Sequence, residues 1–193
     1  MAPQIRARAG SRNRSISVNR PSFSRLWKAY EKVNLKAPDV YKLVGGNIYE
    51  LYLEDCKKLQ QYQVFQNACA IRMSYAFNYG GYKIPTGTII KGKEIKRFKG
   101  ADNLPYIVSV DAMIDVLTHK FGNPEYGIAT NGKDISSQFS GKKGIMVFVV
   151  EGWGDATGHV VLWSGSRCSD GHWYFIQDRP TVKTIKVLLW ELK

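Results

Sequence analysis

Phe65-Gln66-Asn67-Ala68-Cys69-Ala70-Ile71-Arg72-Met73-Ser74-Tyr75-Ala76-Phe77-Asn78-Tyr79-Gly80-Gly81 decides how the rest of the chain is read. Asn67 has the side chain of a helix N-cap, able to accept a hydrogen bond from one of the N–H groups that a first turn leaves free. Ala, Ile, Met and Phe fill the interior, and Gly80-Gly81 stops it. The pattern predicts a buried helix with Cys69 in its first turn. The partial positive charge of a helix start favours the thiolate and lowers a thiol pKa from about 8.5. The same free N–H groups suit the oxyanion of a tetrahedral intermediate. A cysteine is equally at home as a small apolar core residue, so Cys69 takes its meaning from what surrounds it.

Toward the N-terminus, Ser24 is expected to cap a helix in which Leu26, Trp27 and Tyr30 recur at helical spacing. A second helix is expected over Val40 to Val44, stopped by Gly45-Gly46, and a third from about Asn47 through Leu51 into Asp55. Residues 1–20 are rich in Arg, Ser and Asn and bury too little to offset their ordering entropy, which predicts a flexible basic tail. The tail has no apolar h-region, so no standard signal peptide is expected. Its Arg- and Ser-rich, acid-free composition also fits a transit peptide.

Toward the C-terminus, residues 83–106 read as irregular. Ser109 or Asp111 then opens an amphipathic helix through Met113, Ile114, Leu117 and Phe121, stopped by Gly122 and Pro124. Strands are expected at Gly144–Val150, Gly158–Trp163 and Trp173–Ile176, with Val187–Trp190 closing the sheet. Helices followed by an antiparallel sheet give the α+β class. Nothing divides residues 21–193, so one domain is expected there.

The chain has 193 residues and a mass of 21.8 kDa, which suits a single core. No run approaches the roughly 20 apolar residues of a membrane span, so membrane insertion is not expected. Three cysteines (56, 69 and 168) cannot build a disulfide scaffold. The net charge is +12, but seven cations and no acid lie between Met1 and Lys28, which leaves +5 on the rest. Such a surface attracts polyanions of several kinds. Without C-x-x-C or H-x-x-x-H spacing, no metal and no other cofactor is expected.

Of the three histidines, His119 falls late in a helix and His172 at a turn, both ordinary surface positions. His159 follows Gly158 at the mouth of an apolar strand, where a polar ring is either a satisfied core group or a base for Cys69. Asp170, 11 residues on, can orient that ring from the next strand of a hairpin, and Asp155, in the preceding loop, is the second choice. Trp153, Asp155 and Asn67 are candidates to line a substrate cleft. A Cys at a helix start, then a His and an acid on successive strands, is the chain order of papain-like and NlpC/P60-type hydrolases. A rival reading is a non-catalytic basic domain for nucleic acid or anionic glycan, with Trp27, Tyr30, Tyr79 and Tyr82 between basic residues as stacking platforms.

Asn67-Ala68-Cys69-Ala70-Ile71-Arg72-Met73-Ser74 resembles the nucleophile motif of the fourth family of type VI secretion amidase effectors. Gly152-Trp153, Asp155-Ala156-Thr157-Gly158-His159 and Leu162-Trp163-Ser164-Gly165 are similar to further pieces of that family. So are Pro21-Ser22-Phe23-Ser24, Asp39-Val40-Tyr41-Lys42-Leu43-Val44-Gly45-Gly46 and Cys168-Ser169-Asp170. The resemblance covers residues 21–193 in order. It implies a papain-like (NlpC/P60-like) fold and a cysteine peptidoglycan amidase that cuts the γ-D-glutamyl–meso-diaminopimelate bond. It places the catalytic roles on Cys69, His159 and Asp170. It further implies an antibacterial toxin carried by the type VI secretion machinery into the periplasm of Gram-negative rivals, restrained in the producer by an acidic periplasmic immunity protein. Nucleic acid is not expected as a partner on this reading. Two features depart from the family: His172 stands where a second loop cysteine pairs with the one matching Cys168, and the Arg-rich stretch before Pro21 has no counterpart.

Overall fold

Leu26, Ala29, Tyr30 and Val33 follow the helical period, and in the computed structural model they form the buried stripe of helix α1 (Phe23–Val33). The structure describes residues 4–9, 12–17, 19–57, 67–87, 89–90 and 92–193. α2 (Ala37–Val44) carries Pro38 in its first turn, where a missing N–H costs nothing, and stops at Gly45, whose φ of 63° suits glycine. α3 (Gly46–Lys57) follows directly. α4 (Cys69–Tyr79) buries Cys69, Ala70, Ile71, Met73, Ser74, Ala76 and Phe77, which marks a helix enclosed on most sides. Phe65 and Gln66, with which its motif opens, lie outside the described residues. α5 (Val110–Phe121) begins at Ser109, the first of the two starts offered by the sequence, and the Ser109 hydroxyl accepts from the Ala112 N–H. None of the described helices is long and apolar enough to cross a membrane.

Strands β1 (Gln4–Ala9) and β2 (Arg12–Ser17) pair antiparallel with each other, so this part of the expected tail is a two-stranded ribbon. Two small ribbons occupy the stretch expected to be irregular: β3 (Ile89–Ile90) with β4 (Lys93–Glu94), and β5 (Phe98–Lys99) with β6 (Pro105–Tyr106). The main sheet contains β7 (Tyr126–Ala129), β8 (Gly144–Glu151), β9 (Gly158–Trp163) and β10 (Lys183–Glu191) in the order β7-β10-β8-β9, all antiparallel. α4 packs between α1 and β9. The sheet and α4 share one large core, including Met146, Phe148, Val161 and Trp190, while a smaller core beneath α2 and α3 gathers Val40, Tyr41, Ile48 and Ile71.

Several expectations are corrected. Ser24 is not the cap of α1: the helix starts two residues earlier, with Ser22 at the cap position and the Phe23 N–H bound to the Lys193 carbonyl. Arg20, the last residue of the expected tail, is tied to the fold by its guanidinium, which donates to Glu125 Oε2 (2.7 Å) and to the carbonyls of Glu191 and Phe121. Val187–Trp190 belongs to a nine-residue strand inside the sheet, between β7 and β8, and does not close it. Trp173–Ile176 is no strand. The Tyr174 carbonyl is taken by the side chains of Thr184 and Gln177, and Phe175 packs edge-on against Phe148 and Trp163. Aromatic residues favour strands because they pack well on pleated surfaces, and here the same packing is achieved by a loop.

Candidate active site

Cys69 is the first residue of α4 and is 5% exposed. The residue at the cap position is Ala68, no side chain caps the helix, and no acid stands in its first turn. Asn67 is therefore not the cap. It lies one residue too early, and its amide Nδ2 donates to Asp155 Oδ2 at 2.8 Å, while its carbonyl accepts from the Tyr41 hydroxyl at 3.2 Å. The first-turn N–H groups are thus left without a side-chain acceptor beside the thiol.

His159 is the second residue of β9 and 8% exposed. Gly158 before it is needed for close pairing with β8: a Cβ there would lie 2.3 Å from the Phe148 carbonyl oxygen. Asp170 sits in the turn after β9, not on a following strand. That turn is folded back by a bridge between Trp163 and Cys168 and by the Ser169 N–H bound to the Leu162 carbonyl. His159 Nε2 and Asp170 Oδ2 are 2.8 Å apart. With Nε2 so engaged, Nδ1 is the ring nitrogen left for Cys69, whose thiol lies within the electrostatic reach of His159. The structure thus brings the three sequence candidates together.

The electrostatics follow from this contact. Burial alone would push the Cys69 thiol up, but the hydrogen bond and charge of His159 outweigh it, helped by the Val160 N–H and the Arg72 guanidinium, and the pKa is lowered. Burial would likewise favour neutral His159, but Asp170 and Cys69 reverse it and raise the imidazole to about 9. Asp170 also resists burial: bonds from His159, the His172 N–H and Tyr174 hold its carboxyl below the usual range. Both shifts run in the direction that favours a thiolate–imidazolium pair over the neutral thiol and imidazole.

The cleft in front of Cys69 has a volume of about 590 Å³. Asn67, Trp153 and Asp155 line it, as expected, opposite Lys96, Phe98 and the start of α5 at Ser109–Asp111. Lys96 Nζ stands over the Phe98 ring at 5.0 Å, and Asp111 accepts from the Thr157 hydroxyl at 3.1 Å. His119 and His172 are exposed.

The residue missed in the sequence is Tyr174. Its ring stacks on His159 with centroids 3.9 Å apart and planes 22° from parallel, and its hydroxyl donates to Asp170 Oδ2 at 2.9 Å. The signal was a phenol four residues after the acid, hidden in an apolar run read as strand. Cys56, Cys69 and Cys168 are all free, and Cys168 is a buried thiol pushed up by desolvation and the Asp170 charge. His172 contributes its backbone N–H to Asp170 Oδ1 at 3.2 Å. Of the aromatic residues of the rival reading, Tyr30 is fully buried, Tyr82 packs against Phe77 and Phe121, Trp27 lies under the Arg167 guanidinium, and Tyr79 is exposed with its hydroxyl bound to Asp102.

Residues 65–190 match the model of the type VI secretion system (T6SS) amidase effector protein 4, Tae4. The chain belongs to the Tae4 family. Among solved structures it is similar to the effector Tae4 from Salmonella typhimurium, determined in complex with the immunity protein Tai4 from Enterobacter cloacae. Identity to that chain is 39% over 90% of this chain and 100% of the other, with a TM-score of 0.76. Tae4 of the Enterobacter cloacae Tae4–Tai4 effector–immunity complex is 32% identical over 91% of this chain and all of its own, with a TM-score of 0.73. No curated protein matches. The Tae4 similarity extends over both the helical half and the sheet, so the α+β architecture is common to all of them.

Proposed function

We propose that this Tae4-family protein is a cysteine peptidoglycan amidase of papain-like, NlpC/P60-like fold. It cuts the γ-D-glutamyl–meso-diaminopimelate amide of stem peptides, with Cys69 as nucleophile, His159 as acid and base, and Asp170 as orienting acid. The observation that carries this reading is the Cys69–His159–Asp170 relay at the wall of an open cleft, with the thiol at an uncapped helix start.

The Cys69 thiolate attacks the carbonyl carbon of the amide. The Cys69 N–H and another first-turn N–H of α4 receive the oxyanion. As the tetrahedral intermediate collapses, the protonated His159 gives its proton to the departing amine, which leaves as diaminopimelate. A thioester remains on Cys69. His159, now neutral, takes a proton from water, the hydroxide displaces the sulfur, and the glutamate γ-carboxylate is released with the thiolate–imidazolium pair restored. Asp170 stays ionised throughout and fixes the ring. Asn67, Trp153 and Asp155 contact the stem peptide in the cleft, and Lys96 provides a cation for its carboxylates.

The active unit is a single domain over residues 21–193. It works as an antibacterial toxin, carried by type VI secretion to the periplasm of Gram-negative targets. A cognate acidic, periplasmic immunity protein protects the producer, in keeping with the Tai4 partners of the similar effectors. Purified diaminopimelate-type sacculi test the chemistry. Wild-type protein is expected to release fragments whose masses correspond to cleavage after the γ-glutamyl carbonyl, and Cys69→Ala to release none while melting at a comparable temperature. Release by Cys69→Ala at the wild-type rate would remove the nucleophile from the reading, and masses from another bond would redirect the specificity.

A further inference from the structure

We propose that Tyr174 is a positioning residue for the His159–Asp170 pair: its ring fixes the plane of the imidazole, and its hydroxyl holds the carboxylate on which that imidazole turns. The proposal rests on the reading of Cys69 and His159 as nucleophile and base. It also explains how the acid is held without a covalent tie, since Cys168 in the same turn is free.

A carboxylate that orients a base must itself be kept from rotating. Asp170 sits in a turn, so its backbone alone fixes it less firmly than a strand would. Three donors hold it: His159 Nε2 and the Tyr174 hydroxyl, both on Oδ2, and the His172 N–H on Oδ1. The His172 N–H comes from the turn itself and moves with it. Tyr174 is different, because its ring is anchored elsewhere. It packs on Phe148 of β8 with centroids 5.4 Å apart, and edge-on to Trp153 at 6.5 Å. Its own carbonyl accepts from the Gln177 amide at 3.2 Å and from the Thr184 hydroxyl at the start of β10. One side chain therefore ties the acid to the main sheet and lies flat on the base.

The stacking has a directional effect. Once His159 is fixed at Nε2 by Asp170, its remaining freedom is rotation about that bond, and a ring 3.9 Å away in near-parallel planes blocks it. Nδ1 is thereby aimed at Cys69. A phenol face also stabilises the imidazolium over the neutral ring. The phenol itself stays protonated, its pKa raised by burial and by Asp170. The other titratable groups around the pair and its phenol are Cys69 and Arg72 of α4, Tyr30 of α1, and Cys168 and His172 in the turn, the His172 ring standing edge-on to Tyr174 at 6.1 Å. Tyr174 does not itself line the cleft and contacts it only through Trp153, so its main effect is expected on turnover.

Tyr174→Phe keeps the ring and removes the hydroxyl, whereas Tyr174→Leu removes both. Tyr174→Phe is expected to lower kcat roughly tenfold or more, the usual effect of losing a bond to a charged group, with KM unchanged. Its acid limb moves to higher pH, because Asp170 loses a donor that lowers its pKa. Tyr174→Leu is expected to lose more, and its alkaline limb falls below the wild-type value near 9 as the imidazolium loses its stacking face. The rate of Cys69 alkylation by iodoacetamide against pH, followed by peptide mass mapping, reads the same pair without any substrate. It therefore separates failure of this role from failure of the peptidoglycan assignment. Shifted alkylation profiles in folded variants support the role. Unshifted profiles in both variants, with activity falling only in step with melting temperature, reduce Tyr174 to packing and overturn it. An ordinary thiol profile in the wild type would overturn the pair and Tyr174's role together.

Discussion

Two helices begin at the rim of the same cleft, and their first turns are built in opposite ways. α5 starts from Ser109, whose hydroxyl accepts the Ala112 N–H, and carries Asp111 in its first turn. Its positive end is occupied by the protein's own oxygen atoms. α4 starts from Ala68, which has nothing to offer, with no acid in the first turn and with Asn67 turned away to Asp155. Its positive end faces the Cys69 sulfur. A helix start is an anion site only while no side chain has claimed it. The difference between a structural helix and a reactive one is here a matter of which oxygens are missing.

The largest expected effect comes from spoiling the charge opposite the bare helix start. Asp170→Asn keeps the size of the side chain and removes the charge that, with Cys69, lifts His159 to about 9. A fall in kcat of about 10²–10⁴-fold is expected, by analogy with other orienting acids. The sign on pH follows from the same contact. In the wild type the imidazolium survives to about pH 9, so activity should hold to that region and fall above it. In Asp170→Asn the imidazole loses a partner that raises it, so the alkaline limb should move down. A kcat/KM profile across pH 5–10 measures both, and an unchanged alkaline limb would mean that His159 is not held by Asp170 during turnover.

A smaller effect should follow from making α4 resemble α5. Ala68→Ser puts a hydroxyl at the cap position, where it competes with the thiolate for the first-turn N–H groups. Cys69 should alkylate several-fold more slowly at neutral pH, while the melting temperature holds or falls slightly because Ala68 is a buried position in the smaller core. A rate equal to that of the wild type would show that His159, the Val160 N–H and Arg72 lower the thiol without help from the helix start.

The sequence made the three central side chains legible because each carries a local signature: a cysteine ahead of an apolar helix, a histidine after a glycine at a strand mouth, an acid in a Ser-Asp-Gly turn. The α+β order was legible for the same reason, since helical spacing gives way near residue 144 to short, continuous apolar runs of β-branched and aromatic residues. What escaped depends on contacts distant in sequence. Asn67 is a sound cap by residue type, yet Asp155, 88 residues away, takes its amide and Ala68 becomes the cap. Trp173–Ile176 has strand composition, and only the packing of Tyr174 on His159 and Phe148 shows why those rings are there. The position of β10 inside the sheet could not be read from its own residues, because β7, a four-residue strand with alternating exposure, gives almost no sequence signal.

The smallest effect belongs to the capped helix and tests the other half of the contrast. Ser109→Ala leaves the Ala112 N–H without its acceptor at 3.3 Å. Losing an N-cap of this kind costs about 1 kcal/mol, which in a domain of this size lowers Tm by roughly 2–4 °C. The cap sits at the positive end of α5 and not of α4, so the pH dependence of Cys69 alkylation should keep its midpoint even as the protein melts earlier. A shift of that midpoint would mean that the two helix starts share one electrostatic field across the cleft, and the oxygens at α5 would then have to be counted among the groups that set the charge on the sulfur.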